Sequence, residues 1–140
     1  MSVPEFRLAD ADESRLEPGI YGLRDGTPLS VVHTRLEQAG WATAAVDLTA
    51  ATRKRAVMAA FADGLDLPSW FGANWDALED ALRDLTWWPA GTNGRIILIL
   101  GDLEAPATET GDGAVLQDVL GSTVDWWAST GSPMLVVLIS

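Results

Sequence analysis

Short apolar runs alternate along the chain with stretches in which apolar positions recur every three or four residues. Residues 95–100 and Met134–Ile139 are almost continuously apolar, which is typical of strands buried on both faces of a parallel sheet. Residues 41–48 are rich in small and β-favouring side chains and predict a third strand. The run Ile20–Leu23 stops before the turn dipeptide Asp25-Gly26 and predicts a short edge strand.

Four helices are predicted between these strands. Thr27-Pro28 begins the first helix, with Thr27 as the capping hydroxyl, and Gly40 ends it. The second helix spans about 53–63, the third 75–85 with Asn74 as its cap, and the fourth about 114–129. The resulting order, β-α-β-α-α-β-α-β, is typical of an α/β fold in which helices pack on a small parallel sheet.

The length of the chain, 140 residues, predicts a single domain. Residues 1–18 mix polar and charged types without periodicity, and we expect them to form a flexible arm. This leaves 19–140 as the folded unit.

Composition restricts the chemistry. The chain has no cysteine and a single histidine, His33, which excludes disulfides, thiolate metal sites and sites built from clustered histidines. We therefore expect no cofactor and no metal. The chain begins without a signal-peptide pattern, and its apolar runs are too short to span a bilayer. We expect a cytoplasmic protein that does not bind a membrane.

The net charge of −11 is unevenly distributed. Residues 1–55 contain eight acidic and seven basic residues, whereas 56–140 contain twelve acidic residues and only Arg83 and Arg95 as bases. Such a surface attracts cations and repels phosphate, which indicates a basic protein partner and argues against nucleic acid. The plain alternative is that the charge only keeps the protein soluble.

The third helix carries the most specific pattern. Its apolar positions face the core, and the opposite face groups three acids and one base at helical spacing: Asp76, Glu79, Asp80 and Arg83. In the plain interpretation this is a solvated face on which Arg83 pairs with Glu79 or Asp80. The loop before it contains Trp70 and Phe71, and aromatic side chains beside carboxylates are the types that anchor protein interfaces. We expect Phe71 and Trp75 also to contribute to the core.

Two other roles for these carboxylates are weaker. Acid–base catalysis by Asp76 and Asp80 requires acids that flank a cleft, with one pKa raised by burial, whereas two acids on one outward helix turn both face solvent. Calcium binding requires the alternating spacing of a ligand loop, which this helix lacks. The acidic loop at 101–113 could hold a cation with Asp102, Glu104, Glu109 and Asp112, but we expect it to be flexible and solvated.

The stretch that begins at Leu67 resembles the signature of the barstar family, intracellular inhibitors of secreted guanyl-specific ribonucleases. In this chain it reads Leu67-Pro68-x-Trp70-Phe71-Gly72-x-Asn74-x-Asp76-Ala77-Leu78-x-Asp80-x-Leu82. The resemblance extends over residues 41–140, and 19–40 is a strand–helix extension. It implies a parallel sheet of three strands packed with helices, to which Ile20–Leu23 could add a fourth.

The resemblance also implies a function, the inhibition of a ribonuclease by a protein that is not an enzyme. Asp80 would imitate a phosphate among the cations of the nuclease active site, and Asp76 would pair with a neighbouring Arg. Trp70 would stack on the catalytic His of the nuclease. The implied binding surface comprises Trp70, Phe71, Gly72, Asn74, Trp75, Asp76, Glu79, Asp80 and Arg83.

Two alternatives remain open beside this interpretation. The first is an interaction module of the same fold with a basic partner that is not a nuclease. The second is an enzyme that uses Asp76 and Asp80.

Overall fold

The computed structural model describes residues 4–8, 16–51, 54–68, 71–72, 74–101 and 112–139. Strands and helices follow one another in the predicted order. Their bounds are β1 Ile20–Leu23, α1 Leu29–Gln38, β2 Trp41–Asp47, α2 Lys54–Gly64, α3 Trp75–Asp84, β3 Gly94–Leu100, α4 Asp112–Thr130 and β4 Met134–Ile139.

The four strands form one parallel sheet in the order β1-β4-β3-β2. The predicted α/β fold with a parallel sheet is therefore confirmed, and Ile20–Leu23 is its fourth strand. The two most apolar strands, β3 and β4, lie at the centre, where both faces are covered, and Ile97 pairs with Val136 across them. Continuous apolar sequence is what this position requires.

Helices cover both faces of the sheet. On one face, the apolar sides of α2, α3 and α4 pack against alternate residues of the central strands, including Phe61, Leu82, Leu120, Ile97 and Val136. On the other face, α1 contributes Val32 and Leu36, which pack on the intervening residues of the central strands, whose side chains point to this face. The N-terminal extension thus encloses the second face, and α3 belongs to the three-helix layer.

The residues at 4–8 differ from the flexible arm that we expected over 1–18. Phe6 is only 1% exposed and belongs to the core on the α1 face. Its N–H donates a hydrogen bond of 2.7 Å to the carbonyl of Gly22, and the N–H of Gly22 donates one of 2.8 Å to the carbonyl of Pro4. This part of the chain therefore runs along the edge of β1. A single apolar residue in a polar stretch has no periodicity by which such docking can be predicted.

The start of α1 also differs from the prediction. The N-cap is Pro28, which makes no side-chain capping bond, so the predicted role of Thr27 is wrong. The hydroxyl of Thr27 points back along the chain and donates a hydrogen bond of 2.5 Å to Oδ1 of Asp25. Because the helix begins at Leu29, Thr27 lies one residue before the N-cap, and its hydroxyl makes a charge-assisted bond to Asp25 instead.

Candidate functional site: the acidic face of α3

Helix α3 begins and ends at defined caps. Asn74 has an extended backbone, and its side-chain oxygen accepts a hydrogen bond of 2.8 Å from the N–H of Ala77, as predicted. At the other end Leu85 adopts the left-handed conformation with φ of 44°. Leu78, Ala81 and Leu82 are buried. The opposite face of the helix is thereby directed away from the core.

Asp76 and Asp80 both lie exposed on this outward face. They are four residues apart, so their side chains project side by side, one helical turn from each other. Within the described part of the chain, neither carboxylate has a hydrogen bond or an ion pair. Asp76 lies in the first turn, where the helix dipole favours a negative charge.

Glu79 and Arg83 have a different environment from the two aspartates. Nη2 of Arg83 lies 2.9 Å from Oε1 of Glu79, so Glu79 is the partner of this arginine. The same Nη2 donates a hydrogen bond of 2.7 Å to Oγ of Ser122 on α4, and this hydroxyl donates one of 2.9 Å to Oε1 of Glu79. The Glu79 and Arg83 side chains are 32% and 37% exposed. Both are therefore engaged at the junction of α3 and α4.

The loop before α3 contributes little free aromatic surface among its described residues. Phe71 and Trp75 are half-buried and pack against the core, as expected, while Gly72 is exposed. Trp70, the residue expected to stack on the partner, lies outside the described residues. The described geometry of the site consequently rests on α3 and its contact with α4.

Two buried residues contact the C-terminal end of α3 and the turn that follows it, and Trp127 is the first of them. Its indole N–H donates a hydrogen bond of 2.7 Å to the carbonyl of Leu82. The second is Arg95, whose Nε donates one of 2.8 Å to the carbonyl of Trp88 and whose Nη2 lies 3.5 Å from the carbonyl of Leu85. The guanidinium carbon of Arg95 lies 4.5 Å from the centre of a Trp127 ring, within the range of cation–π attraction.

Arg95 is a residue that the sequence analysis missed. It is 7% exposed, and burial lowers the pKa of its guanidinium. Its position in β3, directly before five apolar residues, was the available signal, because a charge in a buried strand needs specific partners. The carbonyl of Leu85 at the C-cap of α3, the carbonyl of Trp88 beyond it and two tryptophan rings supply them.

A second polar cluster lies on the opposite face of the sheet. Oγ1 of Thr43 contacts Nδ1 of His33 and donates a hydrogen bond of 3.1 Å to Oε1 of Glu37. The N–H of Thr43 also donates to the same oxygen, at 3.2 Å. These contacts join α1 to β2 and give His33 a structural role.

The described residues include neither a cluster of metal ligands nor a helix that could span a membrane. That part of the chain contains no group of three or more His, Asp or Glu side chains that could hold a metal ion. None of its helices is both long enough and apolar enough to cross a bilayer. Most of the acidic loop, residues 102–111, lies outside the description.

Comparison with known proteins identifies the family. No curated protein matches the chain. The family model described as Barstar (barnase inhibitor) matches residues 41–139, from the first residue of β2 to the last of β4. The match contains the whole three-helix layer and omits β1 and α1. Since it covers well over half of the sequence, the chain belongs to the Barstar family.

Proposed function

We propose that the protein is an inhibitor that blocks the basic active site of a guanyl-specific ribonuclease with α3 and the loop before it. The observation that carries the proposal is the pair of exposed carboxylates, Asp76 and Asp80, on a helix that is fixed at both ends. Membership of a family of barnase inhibitors supplies the class of partner. In this proposal the protein acts in the cytoplasm and has no catalytic activity of its own.

The chemistry of phosphate recognition supports this role. A ribonuclease binds the RNA backbone with cationic side chains, and a carboxylate presents two oxygens to an Arg much as a phosphate does. Asp80 would occupy the phosphate position, and Asp76 would pair with a neighbouring cation. The net charge of −11 would steer the encounter. Steering of this kind is known from barnase and barstar, and we transfer it to this chain through the family.

The alternative partner is a basic protein that is not a nuclease. What supports it is that the exposed Asp76 and Asp80 suit any partner with suitably spaced cations, whether or not that partner is a nuclease. Catalysis by Asp76 and Asp80 has less support, because both carboxylates are exposed on one helix rather than buried across a cleft.

An RNA-degradation assay tests the proposal. Barnase and other guanyl-specific ribonucleases would be assayed with the parent protein, with Asp80→Ala, and with Asp63→Ala as a matched control. Asp63 is exposed at the end of α2, so that variant makes the same charge change on another helix. We expect inhibition of at least one nuclease, unchanged in Asp63→Ala. Asp80→Ala should lose about 2–5 kcal/mol of binding free energy, because the cations of the partner are left unpaired.

Two results would contradict the proposal. One is that the parent inhibits none of the nucleases. The other is that Asp80→Ala inhibits as strongly as the parent.

A further inference from the structure

A closed set of three hydrogen bonds joins Arg83, Glu79 and Ser122. One of the bonds lies within α3, and the other two link α3 to α4. One guanidinium nitrogen of Arg83 donates to both of the other side chains, at 2.9 Å and 2.7 Å, and the serine hydroxyl donates to the glutamate at 2.9 Å. Each member thereby restrains the other two. Arg83 is held in one position beside the acidic face instead of moving freely in solvent.

This arrangement changes the charge that a partner meets. The charges of Glu79 and Arg83 offset each other, so Glu79 does not act as a third free acid beside Asp76 and Asp80, and Arg83 presents its remaining N–H donors rather than a full free charge. The Arg83 side chain as a whole is still 37% exposed. Within the described residues its Nε is buried without a hydrogen-bond partner, and Nη1 makes no hydrogen bond. A restrained guanidinium with unused N–H donors therefore adjoins the two exposed carboxylates.

We infer that Arg83 determines which partner the protein accepts. The partner that fits α3 carries a carboxylate opposite Arg83, next to the cations that receive Asp76 and Asp80. This inference rests on the proposed function and specifies the surface of the ribonuclease that would be bound.

Electrostatics supports this assignment. A partner surface that is basic throughout would bring its cations against Arg83 and would displace water from the guanidinium without providing an acceptor, which disfavours binding. A carboxylate at that point would accept a charge-assisted hydrogen bond from Nη1 of Arg83, the nitrogen whose N–H groups are unused within the described residues. The remainder of the face would still require cations. The preferred partner surface is consequently mixed in charge.

A purely structural role for the pair makes a different prediction. Glu and Arg four residues apart on a helix stabilise it slightly whatever the helix binds. If the pair served only this purpose, changing Arg83 would alter stability and leave the preference between partners unchanged. The dependence of binding on the charge of the partner separates the two roles.

The experiment is a charge-reversal scan of barnase. Each surface Lys or Arg of barnase is replaced in turn by Asp, and binding is measured by calorimetry, because some of these barnase variants will lose nuclease activity. The proteins compared are the parent, Arg83→Ser and Arg83→Lys, with circular dichroism and a thermal melt as the check on folding. Arg83→Lys keeps the positive charge and is the conservative control.

We expect at least one barnase variant to bind the parent at least tenfold more tightly than unaltered barnase does. This gain should persist in part with Arg83→Lys and disappear with Arg83→Ser. Against unaltered barnase, Arg83→Ser should bind more tightly than the parent, because it frees Glu79 and removes a cation.

Two results would overturn the inference: a scan without any such gain, or a gain that Arg83→Ser retains. If a nuclease is inhibited and this inhibition is weakened by changing Asp80 but not by changing Arg83, the inference is overturned and the proposed function stands. If neither the parent nor its Arg83 variants inhibit any nuclease, both the inference and the proposed function are wrong.

Discussion

The indole N–H of Trp127 on α4 donates a hydrogen bond of 2.7 Å to the main-chain carbonyl of Leu82 on α3. Because α3 ends at Asp84, this carbonyl is one of the last four of the helix, which have no partner within it. The bond therefore supplies a donor to a carbonyl that burial would otherwise leave unpaired, and it fixes the end of the acidic helix against α4. Asn74 fixes the beginning.

Replacing Trp127 by Phe should destabilise the protein by about 2–4 kcal/mol, because it leaves a cavity and an unpaired buried carbonyl. Trp126→Phe is the matched control: Trp126 is 37% exposed and its ring packs edge-on against that of Trp127, a contact that a Phe ring can keep in part, so the change should cost about 1 kcal/mol or less. Urea denaturation of both variants measures the difference. Equal destabilisation by the two changes would contradict the role of the Trp127 bond.

Phe6→Ala should destabilise the protein by about 3 kcal/mol, because Phe6 is 1% exposed and packs in the core on the α1 face. Arg7 is exposed, so Arg7→Ala should leave the free energy of unfolding nearly unchanged. Chemical denaturation of both variants gives the comparison. If Phe6→Ala is as stable as the parent, residues 4–8 are not docked in solution.

Gly64 lies where a side chain has no room. A Cβ atom at this position would be 2.2 Å from the carbonyl oxygen of Ala45 on β2, and an atom of the main chain cannot move aside easily. Gly64→Ala should therefore destabilise the protein by about 1–3 kcal/mol. Thermal melts would detect this as a lower melting temperature.

Gly121 provides the control for that substitution. It lies inside α4, and a Cβ atom at this position would meet no atom of the described residues within 4 Å beyond its chain neighbours and the backbone of its own helix. Gly121→Ala should raise stability by about 0.5–1 kcal/mol, because alanine has the higher helix propensity. If Gly64→Ala raises the melting temperature as Gly121→Ala does, the contact at Ala45 is not as close as described.

The hydrogen bonds between Asp25 and Thr27 lead to a prediction about the pKa of the Asp25 carboxyl. Its Oδ1 accepts hydrogen bonds from the hydroxyl and the N–H of Thr27, at 2.5 Å and 2.9 Å, and these bonds lower the pKa of the carboxyl. Thr27→Ala should raise this pKa towards its ordinary value, which NMR titration of the carboxyl carbon would measure. Asp47, whose pKa is lowered in the same way by Thr49, should not change and is the internal control.

The sign of the effect on stability follows from the direction of the Asp25 shift. A carboxyl whose pKa is lower in the folded state stabilises the fold above its unfolded pKa, and this contribution is lost as pH falls through the folded pKa. The difference in stability between the parent and Thr27→Ala should therefore shrink in acid. A difference that grows as pH falls would contradict the assignment.

The sequence was sufficient to predict the strands and the outward face of α3, because both follow from short-range periodicity. Continuous apolar residues located β3 and β4, and spacing by three and four residues separated Leu78 and Leu82 from Asp76 and Asp80. The capping role of Asn74 was predictable for the same reason, since a cap acts on the next turn.

Contacts between distant parts of the chain could not be predicted in this way. Ser122 is hydrogen-bonded to Glu79 although the two residues are 43 positions apart in the sequence. No local pattern distinguishes this serine from the others. The pairing of Glu79 with Arg83 was foreseen as one of two choices, because it lies within one helix. Its attachment to α4 depends on how two helices pack, which only the fold determines.

Salt should affect formation of a nuclease complex more than its lifetime. Raising the ionic strength from about 0.05 to 0.5 M shortens the screening length, and this weakens the long-range attraction before contact more than the bonds at the interface. Stopped-flow measurements with an inhibited ribonuclease should therefore give a larger change in the association rate constant than in the dissociation rate constant. The variant with both Asp76→Asn and Asp80→Asn should associate more slowly and with less dependence on salt. If its salt dependence equals that of the parent, the two carboxylates do not steer the encounter.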